Sequence, residues 1–465
     1  MNSTPKLIQK STGFTDSERM LAEFCDRTFL KLWSYPNPFK SDGHEICDLL
    51  AVFGNNIFIF FDRHKVLPHN TEKDLNILWN RWKGRAIDAQ IATAHGAERY
   101  IRGGGKIYLD GKRAMPFPLN FDPKTAVIHK IVVANGAKEA CKHASERNVY
   151  GSLAITYCKN DDVPERPFHV FIDKFNPVHV FDSHNLPILL GELDTVSDFT
   201  EYLQAKLRAI EKYDQLLYCG EEDLLGHYLS NYDKDKHQHV IGTNDANINC
   251  LMIGEGEWRD FVETEIYIYT KSIDKVSYFW DDLIQRTCQN AIDRKLGGNT
   301  DLLNGQSAIF EMVKEPRFVR RAISDKFLKV VRDFPDLPGE LTKQVTLVPS
   351  FFDGVAYIFF QLRASDQLRR STEYLGKRRV MLEIACGAAK NKFPLFKKIV
   401  GIGMDAPKFA GDKNSEDFIL LNCEEWSSET RDYYEALNAH MGFFRSPNLK
   451  QFQEDVTQFV APPQI

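Results

Sequence analysis

Two apolar runs split by a short turn constrain this chain more than any other feature. Leu49-Leu50-Ala51-Val52-Phe53 is followed by Gly54-Asn55-Asn56, and then by Ile57-Phe58-Ile59-Phe60-Phe61. Such runs are strand-sized rather than helix-sized, and the Gly54-Asn55-Asn56 segment between them reads as a turn. Polar residues close both outer ends: Gly43-His44-Glu45-Ile46-Cys47-Asp48 before the first run, Asp62-Arg63-His64-Lys65 after the second. Upstream, Glu18, Leu21, Ala22, Cys25, Phe29 and Leu32 fall on one stripe at three- and four-residue spacing, which predicts a helix with Glu18 heading its buried face. The expected order is helix, strand, turn, strand.

A carboxylate on a buried stripe costs free energy unless a partner compensates it. For Glu18 the partner is either the chain itself, through a capping box with Thr15, or a bound metal ion. The strand carboxylates pose the same question. If Asn55 and Asn56 form the turn, Asp48 faces Arg63. If the loop is Gly54-Asn55-Asn56, Asp48 faces Asp62, with His64 further along the same side. Two carboxylates can hold a divalent ion at a phosphate, and a nearby cation or base can align water and offset developing charge. The second register supplies that set; the first, with Arg63 opposite Asp48, binds metal poorly.

Residues 14–68 resemble the restriction-endonuclease-like superfamily, the PD-(D/E)xK nucleases. The core of that family carries a helix glutamate, a strand aspartate and an acidic-x-lysine triplet on the next strand. Glu18 and Asp48 match the first two elements. The third departs: Asp62-Arg63-His64 lacks the lysine, and Lys65 comes one residue late. The resemblance implies hydrolysis of phosphodiester bonds in DNA or RNA, Mg2+ or Mn2+ as cofactor, and a role in defence against foreign nucleic acid. It implies Glu18, Asp48 and Asp62 as metal ligands, with Asp48, Asp62, His64 and Lys65 serving catalysis. The competing expectation is a catalytically degenerate member that binds nucleic acid or acts as a scaffold.

The formal net charge of -5 argues against adhesion of the whole molecule to nucleic acid, so any basic surface must be local. The strongest local excess lies in residues 363–398. Ten basic residues there stand against Asp366, Glu373 and Glu383, leaving seven positive charges in surplus. That footprint suits an anionic partner, nucleic acid first. Arg369, Arg370, Arg378 and Arg379 are expected to grip it, together with Arg99 and Arg102 on a helical pattern over residues 73–102. Gly103-Gly104-Gly105-Lys106 lacks Walker spacing and reads as a turn. His129, His169, His179, His184, Asp173 and Asp182 match no ligand spacing and read as ordinary sheet residues. Glu221, Glu222 and Asp223 head a helix, where carboxylates suit the macrodipole.

A chain of 465 residues can bury more than one core. Three regions are expected: a restriction-endonuclease-like domain over 1–118, a strand-rich stretch over 119–235, and a C-terminal α/β domain over 250–465. Strands are predicted at 127–133, 152–157, 168–172 and 178–181, before a helix capped by Thr195 or Ser197. Residues 233–247 read as a loop. Later come helices near 281–294 and 316–331, strands at 355–362, 399–404 and 418–422, and a basic helix over 366–392. The fold class is α/β, with α+β the alternative, built as a mixed sheet flanked by helices. The nine cysteines contain no CxxC pair and read as reduced core residues. With no apolar stretch of signal-peptide or membrane-span length, the expected place is the cytoplasm, without membrane contact. A protein partner or a second copy of the chain stays open. The tail from Val460 should be loose.

Overall fold

The computed structural model describes residues 16–29, 33–145, 150–159, 166–235, 237–245, 247–292, 302–336, 341–410, 416–445 and 456–463. By its contacts the chain forms two compact units that meet in sequence between Ile268 and Tyr269. Both are mixed α/β structures built on open sheets.

The strands of the first unit are β1 (Ser34–Pro36), β2 (Leu49–Phe53), β3 (Asn56–His64), β4 (Val127–Asn135), β5 (Ala154–Cys158), β6 (His169–Asp173), β7 (His179–Asp182), β8 (Gln215–Tyr218), β9 (Tyr232–Asp233), β10 (Gln238–His239) and β11 (Cys250–Ile253). Its helices include α1 (Asp16–Thr28), α2 (Leu75–Lys83), α3 (Ala89–Arg102), α4 (Lys138–Ala144), α5 (Asn185–Glu192), α6 (Val196–Lys212) and α7 (Glu221–Ser230). One sheet runs β1-β2-β3-β4-β7 and another β11-β8-β5-β6, while β9 and β10 pair alone inside the stretch expected to be a loop. In the first sheet β1, β2 and β3 are antiparallel, and β4 and β7 continue parallel to β3. Parallel neighbours need a crossover, and α2 and α3 with the π-helical turn between them supply it. The sheet therefore runs straight through residues 118–119, where a first region was expected to end.

Strand periodicity decides what each face meets. Phe58 and Phe60 face the end of α1, where Phe29 packs at 4.8 and 6.1 Å between ring centres. Phe199 of α6 closes that cluster edge-on at 5.5 Å from Phe29. On the other face Lys130 reaches Glu98 of α3 at 2.7 Å. The sheet is thus covered by helices on both sides. Thr195 caps α6, its hydroxyl accepting from Asp198 N at 3.1 Å. Between α6 and α7 the buried Lys206 and Glu221 bond at 2.6 Å, and the hydroxyls of Tyr202 and Tyr218 complete the carboxylate. Satisfying every lone pair is what makes a buried ion pair tolerable.

The second unit carries helices α8 (Tyr278–Ile292), α9 (Leu302–Val313), α10 (Arg317–Arg332), α11 (Tyr374–Lys392) and α12 (Ser428–Met441) around strands β12 (Leu341–Pro349), β13 (Val355–Ala364), β14 (Lys398–Asp405) and β15 (Glu416–Asn422). The sheet order is β12-β13-β14-β15, with only β13 and β14 parallel. Tyr357 and Phe359 meet Trp280 and Phe327 on one face, whereas Ile358 and Phe360 join the core formed with α11. The basic helix expected over 366–392 is broken into a short turn at Asp366–Arg369 and α11. The tail is not loose throughout: Val460 N donates to Thr270 Oγ1 at 2.9 Å, and Arg321 reaches Thr457 O. Gln464 and Ile465 lie outside the described residues, as does Thr15.

All nine cysteines are free, and seven of them are buried. Among the described residues no helix is long and apolar enough to cross a membrane.

Phe58 is fully buried against Phe29 and Phe199, so Phe58→Ala should cost about 3–5 kcal/mol of stability, measured by urea unfolding. A loss below about 1 kcal/mol would show that this face is not the core it is described to be.

Candidate functional site

The hairpin takes neither expected register. Phe53 pairs with Asn56, so the turn is Gly54-Asn55, with Gly54 at φ 59° in the first turn position. Asn56 belongs to the strand, where its side-chain oxygen meets His129 Nε2 at 3.2 Å. Leu49 pairs with Phe60, and the backbone N–H of Asp48 also donates to Phe60 O at 3.0 Å. Leu49 and the preceding Asp48 thus both stand against Phe60 of β3, which is a β-bulge, and a bulge re-aims the side chain beside it. The Asp48 carboxylate swings across to accept the backbone N–H of Asp62 at 2.5 Å. Asp48 faces neither Arg63 nor Asp62 as a cross-strand pair. It ends the ladder with its own side chain.

Around this point other polar groups gather. Asp48 O accepts from Asn37 N at 2.9 Å. Asn37 is fully buried and holds φ at 49°, a left-handed conformation that asparagine tolerates better than most residues. Its amide nitrogen lies 2.5 Å from Glu45 Oε1 and 3.5 Å from Glu18 Oε2. On the other side Asn135, at the end of β4, donates to Asp62 Oδ1 at 2.6 Å. Burial pushes the Asp48 carboxyl up to about 7; the Asp62 N–H opposes this, and the negative charges of Glu18, Glu45 and Asp62 add to it. Glu45 is raised too, by burial first, against the Asn37 amide.

Hard carboxylate oxygens suit Mg2+ or Mn2+, and Mg2+ commonly takes only one or two protein carboxylates besides water and phosphate. Asp48 and Asp62 fit that requirement, and a dication would relieve their repulsion. Among the described residues, however, no three His, Cys, Asp or Glu side chains stand close enough to enclose an ion by themselves. His64 and Lys65 follow Asp62 on the exposed end of β3. Lys65 is anchored by its backbone, with N donating to Asn135 O at 3.0 Å and O accepting from Trp82 Nε1 at 2.5 Å.

The basic residues expected to hold nucleic acid are placed differently. Arg102 bonds Glu98 at 3.0 Å and Ala126 O at 3.3 Å, just before β4 begins. Asp62 and Asn135 sit at the opposite end of that strand, roughly 26 Å away at about 3.3 Å per residue. Arg99, a turn earlier on α3, shares that remote end. In the second unit Arg378 is fully buried, bonding Asp405 at 2.8 Å and Asp417 at 2.7 Å. Arg369 reaches Asp405 at 3.3 Å, and Tyr374 also donates to Asp405. Arg378 therefore has no surface to offer a phosphate. Lys377 pairs with Glu373 and Lys398 with Glu311, so much of the surplus charge is answered locally. Arg370 stays exposed, and Arg379 half-exposed.

Asn37, Glu45 and Asn135 were missed by sequence reasoning. The signals were an asparagine between two prolines and an Asn-Gly ending a strand, where ligands gather in parallel sheets. Compared with known protein families, curated proteins and solved structures, the chain matches none.

Two outcomes follow from these charges. The folded-state pKa of Asp48 lies above its ordinary value, so its penalty is absent in acid and grows as pH rises from about 4 to 7. Asp48→Asn keeps an oxygen for Asp62 N. It should raise stability at pH 8 by about 1–3 kcal/mol, allowing for solvent screening, and change little at pH 4. Melting temperatures across that range check it, and an asparagine variant less stable at pH 8 would refute it. Arg378→Met, by contrast, strands Asp405 and Asp417 and should cost about 3–5 kcal/mol in chemical denaturation. A near-neutral result would mean that those acids find other partners.

Proposed function

We propose that this chain is a divalent-metal-dependent nuclease hydrolysing phosphodiester bonds of DNA or RNA. Asp48 and Asp62 would hold Mg2+ or Mn2+, with Glu18 beside them. The observation that carries this reading is the crowding of carboxylates from α1, the start of β2 and the end of β3 around Asp48, whose carboxyl is pushed up to about 7 by burial first, with their negative charge adding to it. Perturbation by burial and like charge at a sheet edge is a mark of functional carboxylates. A bound ion would polarise a phosphate oxygen and acidify a water molecule. His64 and Lys65, both exposed just beyond Asp62, would orient that water, and Lys65 would serve for the lysine of the family pattern.

The order of α1, the antiparallel β1, β2 and β3, the helical crossover and the parallel β4 supports a restriction-endonuclease-like first unit. That core would extend past residue 118 to include β4. One observation favours a second reading, a non-catalytic nucleic-acid-binding or scaffold module. The amides of Asn37 and Asn135 already engage Glu18, Glu45 and Asp62.

The two readings separate in one experiment. Plasmid, single-stranded DNA and RNA are incubated with the protein in Mn2+, in Mg2+ or in chelator. Cleavage should require metal and vanish in Asp48→Ala and Asp62→Ala, and Mn2+ should raise the melting temperature of the wild type but not of Asp48→Asn. Cleavage surviving Asp48→Ala moves the site elsewhere. No cleavage of any substrate leaves the binding module.

A further inference from the structure

The β11-β8-β5-β6 sheet carries a second polar feature, apart from Asp48 and Asp62. A cavity of about 310 Å3 opens where α4, the end of β8 and the start of α7 meet. Its floor is Glu222, with a side chain 1% exposed. Glu222 Oε1 accepts from Ser152 Oγ, and no hydrogen-bond partner for Oε2 exists among the described residues. An ionised or polar group buried without a partner costs free energy, so an orphaned oxygen lining a cavity points to something that fills it.

The surroundings define what fits. Gly220 lies against the carboxylate: a Cβ there would come 2.5 Å from Glu222 Oε1, so a larger residue would displace that group. Asp182 is no competitor for a ligand: its oxygens already accept from the backbone N–H groups of Leu153, His184 and Asn185 at 2.8–3.1 Å. Asp223 also lines the cavity and accepts from Gly256 N and Trp258 N. His184 Nε2 stands 4.0 Å from Glu222 Oε1, and burial holds that imidazole neutral, near 4. The floor is therefore rich in acceptors and poor in cations. The walls are flat rings, Tyr150 (stacked on His184 at 5.0 Å) and Phe168, and Arg166 stands exposed at the rim.

We infer that this cavity is a base-recognition pocket that takes guanine. Burial raises the Glu222 carboxyl to about 8, and two N–H donors would hold it ionised, with lone pairs on both oxygens; guanine alone among the four bases offers two such adjacent donors, at N1 and N2. Adenine, cytosine and uracil each put an acceptor next to a donor on that edge. The aromatic walls supply stacking, and Arg166 is placed for a phosphate or sugar. The volume is that of a small-ligand pocket. The pocket opens beyond the end of β8, in the β11-β8-β5-β6 sheet, and its Glu222 comes within 4.0 Å of His184, which follows β7 of the sheet that carries Asp62. The inference rests on the nucleic-acid reading above, which supplies the class of ligand, and it gives that reading a specificity element.

The test is titration calorimetry on the full chain in chelator, where cleavage plays no part. Guanosine should bind, inosine, which lacks the N2 amine, should bind more weakly, and adenosine, cytidine and uridine should give no signal. Glu222→Gln, which replaces one acceptor with a donor, should weaken guanosine about tenfold or more. Tyr150→Ala, at the pocket wall, should weaken it comparably and serves as the second variant if Glu222→Gln fails to fold. A single-guanine oligonucleotide, set against one without guanine, distinguishes a strand from a free nucleoside as the source. The inference is overturned if no nucleoside binds, if all four bind alike, or if both folded variants bind guanosine as the wild type does. Asp48→Asn should bind guanosine unchanged. Binding without any cleavage would therefore sink the nuclease reading and keep the pocket, and cleavage without binding would do the reverse.

Discussion

The edge of the first unit depends on one substitution of hydrogen-bond acceptor. Just before β2 begins, a side-chain oxygen of Asp48 receives the Asp62 N–H that a strand carbonyl would otherwise receive. The bulge at Asp48 and Leu49 makes this geometry available, because it turns a residue that would have continued the ladder toward the neighbouring strand. Asp48 is then fixed from three sides: its N–H to Phe60, its carbonyl from Asn37, its carboxylate to Asp62. A side chain held this way cannot retreat to solvent, although burial and nearby acids oppose its charge. Stability would favour a neutral residue at this position. That conflict between fixed geometry and unfavourable charge is typical of functional positions, where local cost is offset by the rest of the fold.

The parts of the fold governed by periodicity were legible. The hairpin, β4, β7, α6, α10, β13 and β14 follow from alternation or helical spacing, because burial on one face imposes those patterns directly. The parts governed by a single hydrogen bond were not. Gly54, Asn55 and Asn56 are all turn formers, and nothing local says that Asn56 prefers β3, since its partner His129 is remote in sequence. A bulge leaves no periodic trace either, and it alone explains why Asp48 meets the backbone of Asp62 rather than a cross-strand side chain. Asn37 is beyond such reading for the same reason: its role comes from Glu18 and Glu45, on separate elements.

Charge counting misplaced Arg378 for a related cause. A surplus of basic residues along a segment says where cations are made, not where they point. Arg378 lies on the same helix as exposed Lys377, yet it is wholly buried because Asp405 and Asp417 come to it from β14 and β15. Arg320 is closed in the same way, by Asp281 of α8 and the carbonyls of Val313 and Glu315. Planar guanidinium groups suit such closure, since their donors diverge toward several acceptors at once.

This contrast separates structural from functional charge. Lys206 with Glu221, and Arg378 with its two aspartates, are balanced sets in which donors and acceptors match and little is gained by adding a ligand. Asp48 and Glu222 are different. The groups nearest Asp48 are a backbone N–H and other carboxylates, and those nearest Glu222 are a hydroxyl, a neutral imidazole and the carboxylate of Asp182. Each is raised by burial, Asp48 to about 7 and Glu222 to about 8, with like charge adding to the effect. Elsewhere the chain closes such buried acids with Lys or Arg, whereas burial, hydrogen bonds and like charge are what act most strongly on these two. Asp48 stands beside the carboxyl end of β3 and Glu222 just beyond that of β8, in separate sheets, and strand ends of this kind are where loops diverge and a ligand can enter.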